Sequence, residues 1–197
     1  MNPTETDGTE AHRTRYWYDT EFLEDGRTIE LISIGIVAED GREYYAVNEG
    51  IVYDGGLQRR IKANTWLMAN VVSSLPQRRD DTAANGRWLF DYDSPLVKPR
   101  AVVADEIRDF LLTSDTPELW ADYGAYDHVV LCQLWGSMVC LPVGLPMYTN
   151  DIQQEAHRLG VADLPQQDEG LHNALTDARH CRTRWEFLRT SCSGVFQ

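Results

Sequence analysis

Two clusters of chemically capable residues stand near opposite ends of the chain. Near the start an acidic pair is set in an apolar run, Tyr16-Trp17-Tyr18-Asp19-Thr20-Glu21-Phe22-Leu23, and near the end comes His172-Asn173-Ala174-Leu175-Thr176-Asp177. In an extended strand residues two apart share a side, so Asp19 and Glu21 present two carboxylates to one spot while Tyr18, Thr20 and Phe22 face away. Carboxylates held so close repel, and one would protonate unless a hard cation such as Mg²⁺ or Mn²⁺ neutralised them. An isolated Asp-x-Glu is more often the exposed acidic face of an edge strand, because charged residues are mostly surface residues. The enclosing aromatic and β-branched residues, and a second apolar run from Ile29 to Val37 after the turn Glu24-Asp25-Gly26, favour a half-buried sheet.

Asp127 is the third candidate. It lies in the first turn of an apolar helix expected over Ala125–Trp135. There an acid complements the helix dipole, or it is a further carboxylate delivered just beyond a strand, where open α/β sheets collect ligands. His172 precedes a terminal helix expected over Ala174–Leu188, and Asp177 follows five residues later. Five helical residues turn the chain to a net of about 140°, so the two do not stack on one face. They flank one site only if His172 sits in the loop. Taken alone, such a histidine is more often a surface residue.

The elements that must position these residues are legible as periodicity. Arg15 to Phe22, Ile29 to Ala38 and Glu43 to Val47 read as a three-stranded meander, the last two joined at Glu39-Asp40-Gly41. Gln58 to Val72 has helical spacing and stops before Pro76. Helices are also expected over Ala101–Leu112 and Asp151–Leu159, and strands over Glu118–Asp122 and Leu145–Thr149. The polar stretch 73–99 reads as an ordered insertion. Its aromatics Trp88, Phe90 and Tyr92 stack into the core or, as a second reading, on nucleic-acid bases.

With 197 residues, 43% hydrophobic and 10% aromatic, the chain can bury a full core and is expected to form one domain over 15–197. Residues 1–14 are polar and read as a disordered leader. No run is long and apolar enough for a membrane span. Cys132, Cys140, Cys181 and Cys192 show no CxxC pairing and read as reduced thiols of a cytoplasmic protein. A net charge of −13 excludes a broad basic grip on nucleic acid but not an enzyme that holds a phosphate through cations. Arginines cluster at 59–60, 78–79 and 179–189, either as solvated helix faces or as phosphate contacts.

Asp19-Thr20-Glu21, Gly124-Ala125-Tyr126-Asp127 and His172-Asn173-Ala174-Leu175-Thr176-Asp177 resemble the three motifs of the DEDDh (DnaQ-like) 3′-5′ exonuclease superfamily. Tyr18-Asp19-Thr20-Glu21-Phe22, Thr28-Ile29-Glu30-Leu31-Ile32-Ser33-Ile34-Gly35 and Gly124-Ala125-Tyr126-Asp127-His128 are similar to the mycobacterial polyadenylate-specific 3′-exoribonuclease AS group. The likeness covers most of the chain after Thr14 and is weak from 48 to 100. The second motif departs from the superfamily in having Gly124-Ala125 where Asn-Ala is usual, which leaves a polar contact to Tyr123 or to backbone groups.

The resemblance implies an α/β ribonuclease H-like fold, a mixed central sheet with helices on both faces. It further implies two Mg²⁺ or Mn²⁺ ions, with Asp19 bridging, Glu21 and Asp177 on the nucleophile side, Asp127 on the second ion and His172 as general base. Phe22 and Leu23 would line the pocket for the terminal nucleotide of an RNA 3′ end, with DNA as an alternative substrate and a homodimer left open. An exodeoxyribonuclease, an endonuclease or small-nucleotide phosphohydrolase, and a non-catalytic nucleic-acid adaptor on the same fold are the competing readings.

Overall fold

A computed structural model describes residues 13–78, 90–114 and 116–192. Its centre is a six-stranded mixed sheet of order β4-β3-β2-β1-β5-β6. β1 (Thr14–Glu24), β2 (Ile29–Ala38) and β3 (Glu43–Asn48) form the expected antiparallel meander. The short β4 (Val97–Lys98) joins β3 in parallel, and β5 (Pro117–Ala121) and β6 (Asn150–Asp151) extend the sheet in parallel beyond β1. The leader expected over 1–14 lies mostly outside the described residues, and Thr14 already begins β1.

Alternation along β1 sorts two cores. Tyr16 and Tyr18 pack with Ile34 and Ile36 against Val103, Ile107 and Leu111 of α4 (Arg100–Leu111) and Val130 and Leu131 of α5 (Ala125–Gln133). Trp17 faces the other way, onto Ile152 and Ala156 of α6 (Ile152–Leu159) and Cys181 and Leu188 of α7 (Ala174–Cys192). Helices therefore cover both faces of the sheet. No helix among the described residues is long and apolar enough to cross a membrane.

Two expectations need correction. The single helix expected over 58–72 is broken into α1 (Gly50–Tyr53), α2 (Gly55–Ala63), α3 (Thr65–Asn70) and a 3₁₀ turn at Val72–Ser74. The breaks fall where Asp54 and Asn64 leave helical geometry and cap the following turn, Asp54 accepting from the Gly56 and Leu57 N–H groups and Asn64 from Leu67 N–H. Apolar periodicity continues through such breaks, but local side-chain capping competes with a continuous helix. The strand expected over Leu145–Thr149 is replaced by loop, and pairing begins only at Asn150. Pro146 lacks the N–H that a ladder requires.

Within the 73–99 region, Phe90 is fully buried with Ile32, Val47 and Ile61, and Tyr92 packs against that cluster. These two rings serve the core; Trp88 lies outside the described residues.

One glycine sets how closely α7 approaches the sheet. Gly35 pairs with Asp19 across β1 and β2, and a Cβ there would lie 2.3 Å from the backbone N and Cα of Leu175. Backbone cannot yield as a flexible side chain can. Gly35→Ala is therefore expected to destabilise the fold by about 1–3 kcal/mol through overpacking. Thermal melts of the wild type and the variant measure the effect, and a wild-type melting temperature in the variant would show that this close approach imposes no packing constraint.

Candidate active site

Asp19 and Glu21 lie on the β1 face that looks toward α7, at a bulge. Glu21 pairs with Ser33 but Phe22 with Leu31, so Ile32 is an extra residue in β2, a local re-aiming of the strand of the kind common beside functional sites. β5 ends at Ala121, and Asp122, Tyr123 and Gly124 make the turn into α5, whose first turn carries Asp127. Tyr123 takes a positive φ of 56°. At Gly124 a Cβ would meet Ala121 Cβ at 2.7 Å, so the asparagine usual in the resembling motif has no room. The polar contact here is made by the Gly124 N–H, which donates to Asp151 Oδ2 at 2.7 Å.

The last segment arrives through a strapped loop. Arg184 donates to Asp122 and to the Pro165 carbonyl, fixing the run before α7. His172 has φ 61°, and its carbonyl accepts from Ser74 Oγ at 2.5 Å. Asn173 caps α7, its side-chain oxygen accepting from Thr176 N–H at 3.2 Å while its amide donates to the Ser74 carbonyl. Asp177 then enters in the first turn. Its carboxylate accepts from the His172 N–H at 3.0 Å and from Gln167 Nε2 at 2.6 Å. Donors of this kind orient a ligating carboxylate and tune its affinity.

The result is one cleft of about 360 Å³ lined by Asp19, Glu21, Asp127, His172 and Asp177, all five candidates drawn from three distant segments. Glu21, His172 and Asp177 offer potential ligand atoms within 4.8 Å of one another. Asp127 is buried, and its Oδ1 accepts from the Thr20 N–H at 2.8 Å and Thr20 Oγ1 at 2.6 Å.

The electrostatics fit cation binding. Loss of water, together with Asp127, Glu21 and Asp177, holds Asp19 well above the ordinary carboxylate range. Burial, then Asp177 and Asp127, pushes Glu21 from 4.5 to about 8. Burial raises Asp127 to about 6 despite the opposing Thr20 hydrogen bonds, and it raises Asp177 as well. Four acids that resist ionising together form an all-oxygen donor set that a hard divalent cation would relieve. Asp19, Glu21, Asp127 and Asp177 are thus the residues able to hold such ions, and their chemistry fits that group.

The two apolar candidates separate. Phe22 lines the cleft and meets Tyr126 edge to face, ring centres 5.8 Å apart. Leu23 does not line it. It is buried with Ile32, Val47 and Ile51, because the β1 face that carries Glu21 runs beneath α1–α3 one step further on. The cleft also holds residues that periodicity did not single out: Trp66, Asp122 and Tyr126. Trp66 is 53% exposed and sits edge to face with His172 at 4.8 Å. Its signal was available, since it falls off the apolar stripe that buries Leu67. Gln167 carried none, lying in a loop without period.

Residues 14–189 match the 3′-5′ exoribonuclease Rv2179c-like domain. Two relatives from Mycobacterium tuberculosis, the 3′-5′ exoribonuclease Rv2179c of strain H37Rv and the 3′-5′ exoribonuclease MT2234.1 of strain CDC 1551, are each 40% identical to this chain over 179 residues. The alignments cover 90% of this chain and 94% of each relative. The match spans β1 through α7, all three segments that build the cleft, and the chain belongs to the Rv2179c-like 3′-5′ exoribonuclease domain family.

Proposed function

We propose that this protein is a metal-dependent 3′-5′ exoribonuclease of the DEDDh type on a ribonuclease H-like fold, acting in the cytoplasm and releasing nucleoside 5′-monophosphates. The observation that carries the reading is the convergence of Asp19, Glu21, Asp127 and Asp177 beside His172 in one cleft, in a chain 40% identical to named 3′-5′ exoribonucleases.

Two Mg²⁺ or Mn²⁺ ions, when bound, neutralise charge on the phosphoryl oxygens and the leaving 3′ oxygen and acidify the attacking water. The chain's own residues do the rest. Asp19, central on β1, would be shared between two such ions, with Glu21 and Asp177 holding one and Asp127 the other. His172 takes the proton from the attacking water at a ring nitrogen. Thr20 keeps one oxygen of Asp127 occupied, which fixes the direction of the other. Phe22, backed by Tyr126, packs against the terminal nucleotide.

The test is a denaturing gel of 5′-labelled RNA with Mg²⁺, Mn²⁺ or excess chelator, beside a deoxyribose-terminated twin. A single-nucleotide ladder from the 3′ end that requires the cation is expected. The 2′-hydroxyl contact alone favours ribose by roughly 2–13-fold. Turnover in chelator, or early internal cuts in a 3′-blocked strand, would overturn the reading.

A further inference from the structure

Among the described residues most arginines face a carboxylate, as Arg15 faces Glu39, Arg42 faces Asp40, Arg179 faces Glu43 and Arg184 faces Asp122. Arg27 and Arg100 form no ion pair among the described residues, and both line one open groove of about 680 Å³. Arg27 stands exposed in the β1–β2 turn. Arg100 opens α4 and donates to the Gln133 carbonyl at the end of α5. Glu30 is the one carboxylate among the groove's lining residues, and Arg60 lies 3.9 Å from it.

Phe22 and Tyr126 line the acidic cleft, and the groove lies further along the same β1–β2 hairpin and α5, at its Arg27, Glu30 and Gln133 lining residues. Along β1 and β2, Phe22 pairs with Leu31 and Glu24 with Ile29, which brings the hairpin to Thr28 and Arg27. Along α5, the path from Tyr126 to Gln133 is about 10 Å. A stacked strand advances about 3.4 Å per nucleotide, so that distance is about three nucleotides.

We propose that this groove binds the sugar–phosphate backbone of the single-stranded RNA upstream of the scissile bond, with Arg27 and Arg100 on phosphates about three nucleotides from the 3′ end. The inference rests on the exoribonuclease reading and adds to it a second, sequence-independent binding site. The chemistry is selective for a polyanion because these two guanidinium groups have no carboxylate paired to them among the described residues. It also explains how a chain of net charge −13 holds a polyanion: a short positive track suffices beside a cation-filled site.

The experiment measures kcat and KM with Mn²⁺ on a dinucleotide and on an eight-nucleotide RNA, for wild type, Arg27→Gln, Arg100→Gln and the double variant, at two salt concentrations. Wild type should show a lower KM on the longer RNA. Each single variant should raise KM on the octamer by about 2–5-fold and the double by about tenfold, with kcat and all dinucleotide constants unchanged. The salt slope of octamer binding should become shallower by about 0.7 per lost phosphate contact. Dinucleotide activity reports folding of the Arg100 variant, and Arg27, in an exposed turn, provides an independent arm. Equal octamer KM and salt slope in wild type and Arg27→Gln would overturn the groove assignment. A wild type that cleaves both RNAs with length-independent KM overturns it too, while leaving the exoribonuclease reading intact. No cleavage of either RNA would refute the reading itself.

Discussion

Asp19→Asn is expected to abolish measurable turnover, a loss of about 10³-fold or more, while making the metal-free protein more stable at pH 8. The two effects share one cause. Asp19 is the carboxylate on which Asp127, Glu21 and Asp177 all act, so removing its charge removes both the cation ligand proposed to be shared and the centre of the repulsion. A preorganised electrostatic contact to a transition state contributes roughly 10²–10³-fold, and a shared ligand contributes at least as much. On the stability side, Glu21 titrates at about 8 in the folded protein against 4.5 ordinarily. Between those values the folded state holds a proton that the unfolded chain has released, so metal-free stability falls as pH rises from about 4.5 to 8. Asp127, raised to about 6, steepens the lower part of that fall. The Asp19→Asn change relieves part of the repulsion, and the melting temperature should rise by about 2–4 °C per kcal/mol relieved. Melts at pH 5 and pH 8, with and without Mn²⁺, check this. Wild type should gain from Mn²⁺ chiefly at pH 8, and Asp19→Asn should gain little. A variant that is destabilised at pH 8 without metal would show that Asp19 is held by favourable contacts within the protein and is not poised for a cation.

How much of this site could be read from the chain depends on what kind of signal each residue carries. Asp19 and Glu21 were legible because strand alternation is short-range: two acids two apart, between aromatics, have one geometric meaning. Asp177 and His172 were legible only as a pair, and what unites them, the Asp177 carboxylate accepting from the His172 N–H, is a backbone contact invisible to spacing. Leu23 stands outside the cleft for the same reason that Glu21 stands in it. Alternation gives the side of the sheet but not where a covering helix begins, and α1–α3 cover Leu23. The break-up of 58–72 followed from Asp54 and Asn64, whose capping was in the sequence but was outweighed by the apolar period. Gly35 is the converse case. Its importance lies in a contact with Leu175 across 140 residues of chain, and nothing local to β2 announces it.

His172→Ala should lower kcat by about 10²–10⁴-fold and leave Mn²⁺ stabilisation nearly intact, which separates a proton acceptor from a ligand. The geometry permits both roles, since a ring nitrogen of His172 lies within 4.8 Å of ligand atoms of Glu21 and Asp177. What favours the base is how the residue is held. Its carbonyl accepts from Ser74, its N–H donates to Asp177, and its ring meets the edge-to-face Trp66, so the backbone is pinned at both polar groups while the ring faces the cleft. Alanine at φ 61° adds backbone strain that could itself slow the enzyme. His172→Asn removes this ambiguity, because asparagine tolerates the left-handed region yet supplies no base. If the His172→Asn enzyme is as slow as the alanine variant and both bind Mn²⁺ like wild type, the lost function is proton transfer. If both variants lose the Mn²⁺ response together with activity, His172 is a ligand, and the base must be sought elsewhere in the cleft.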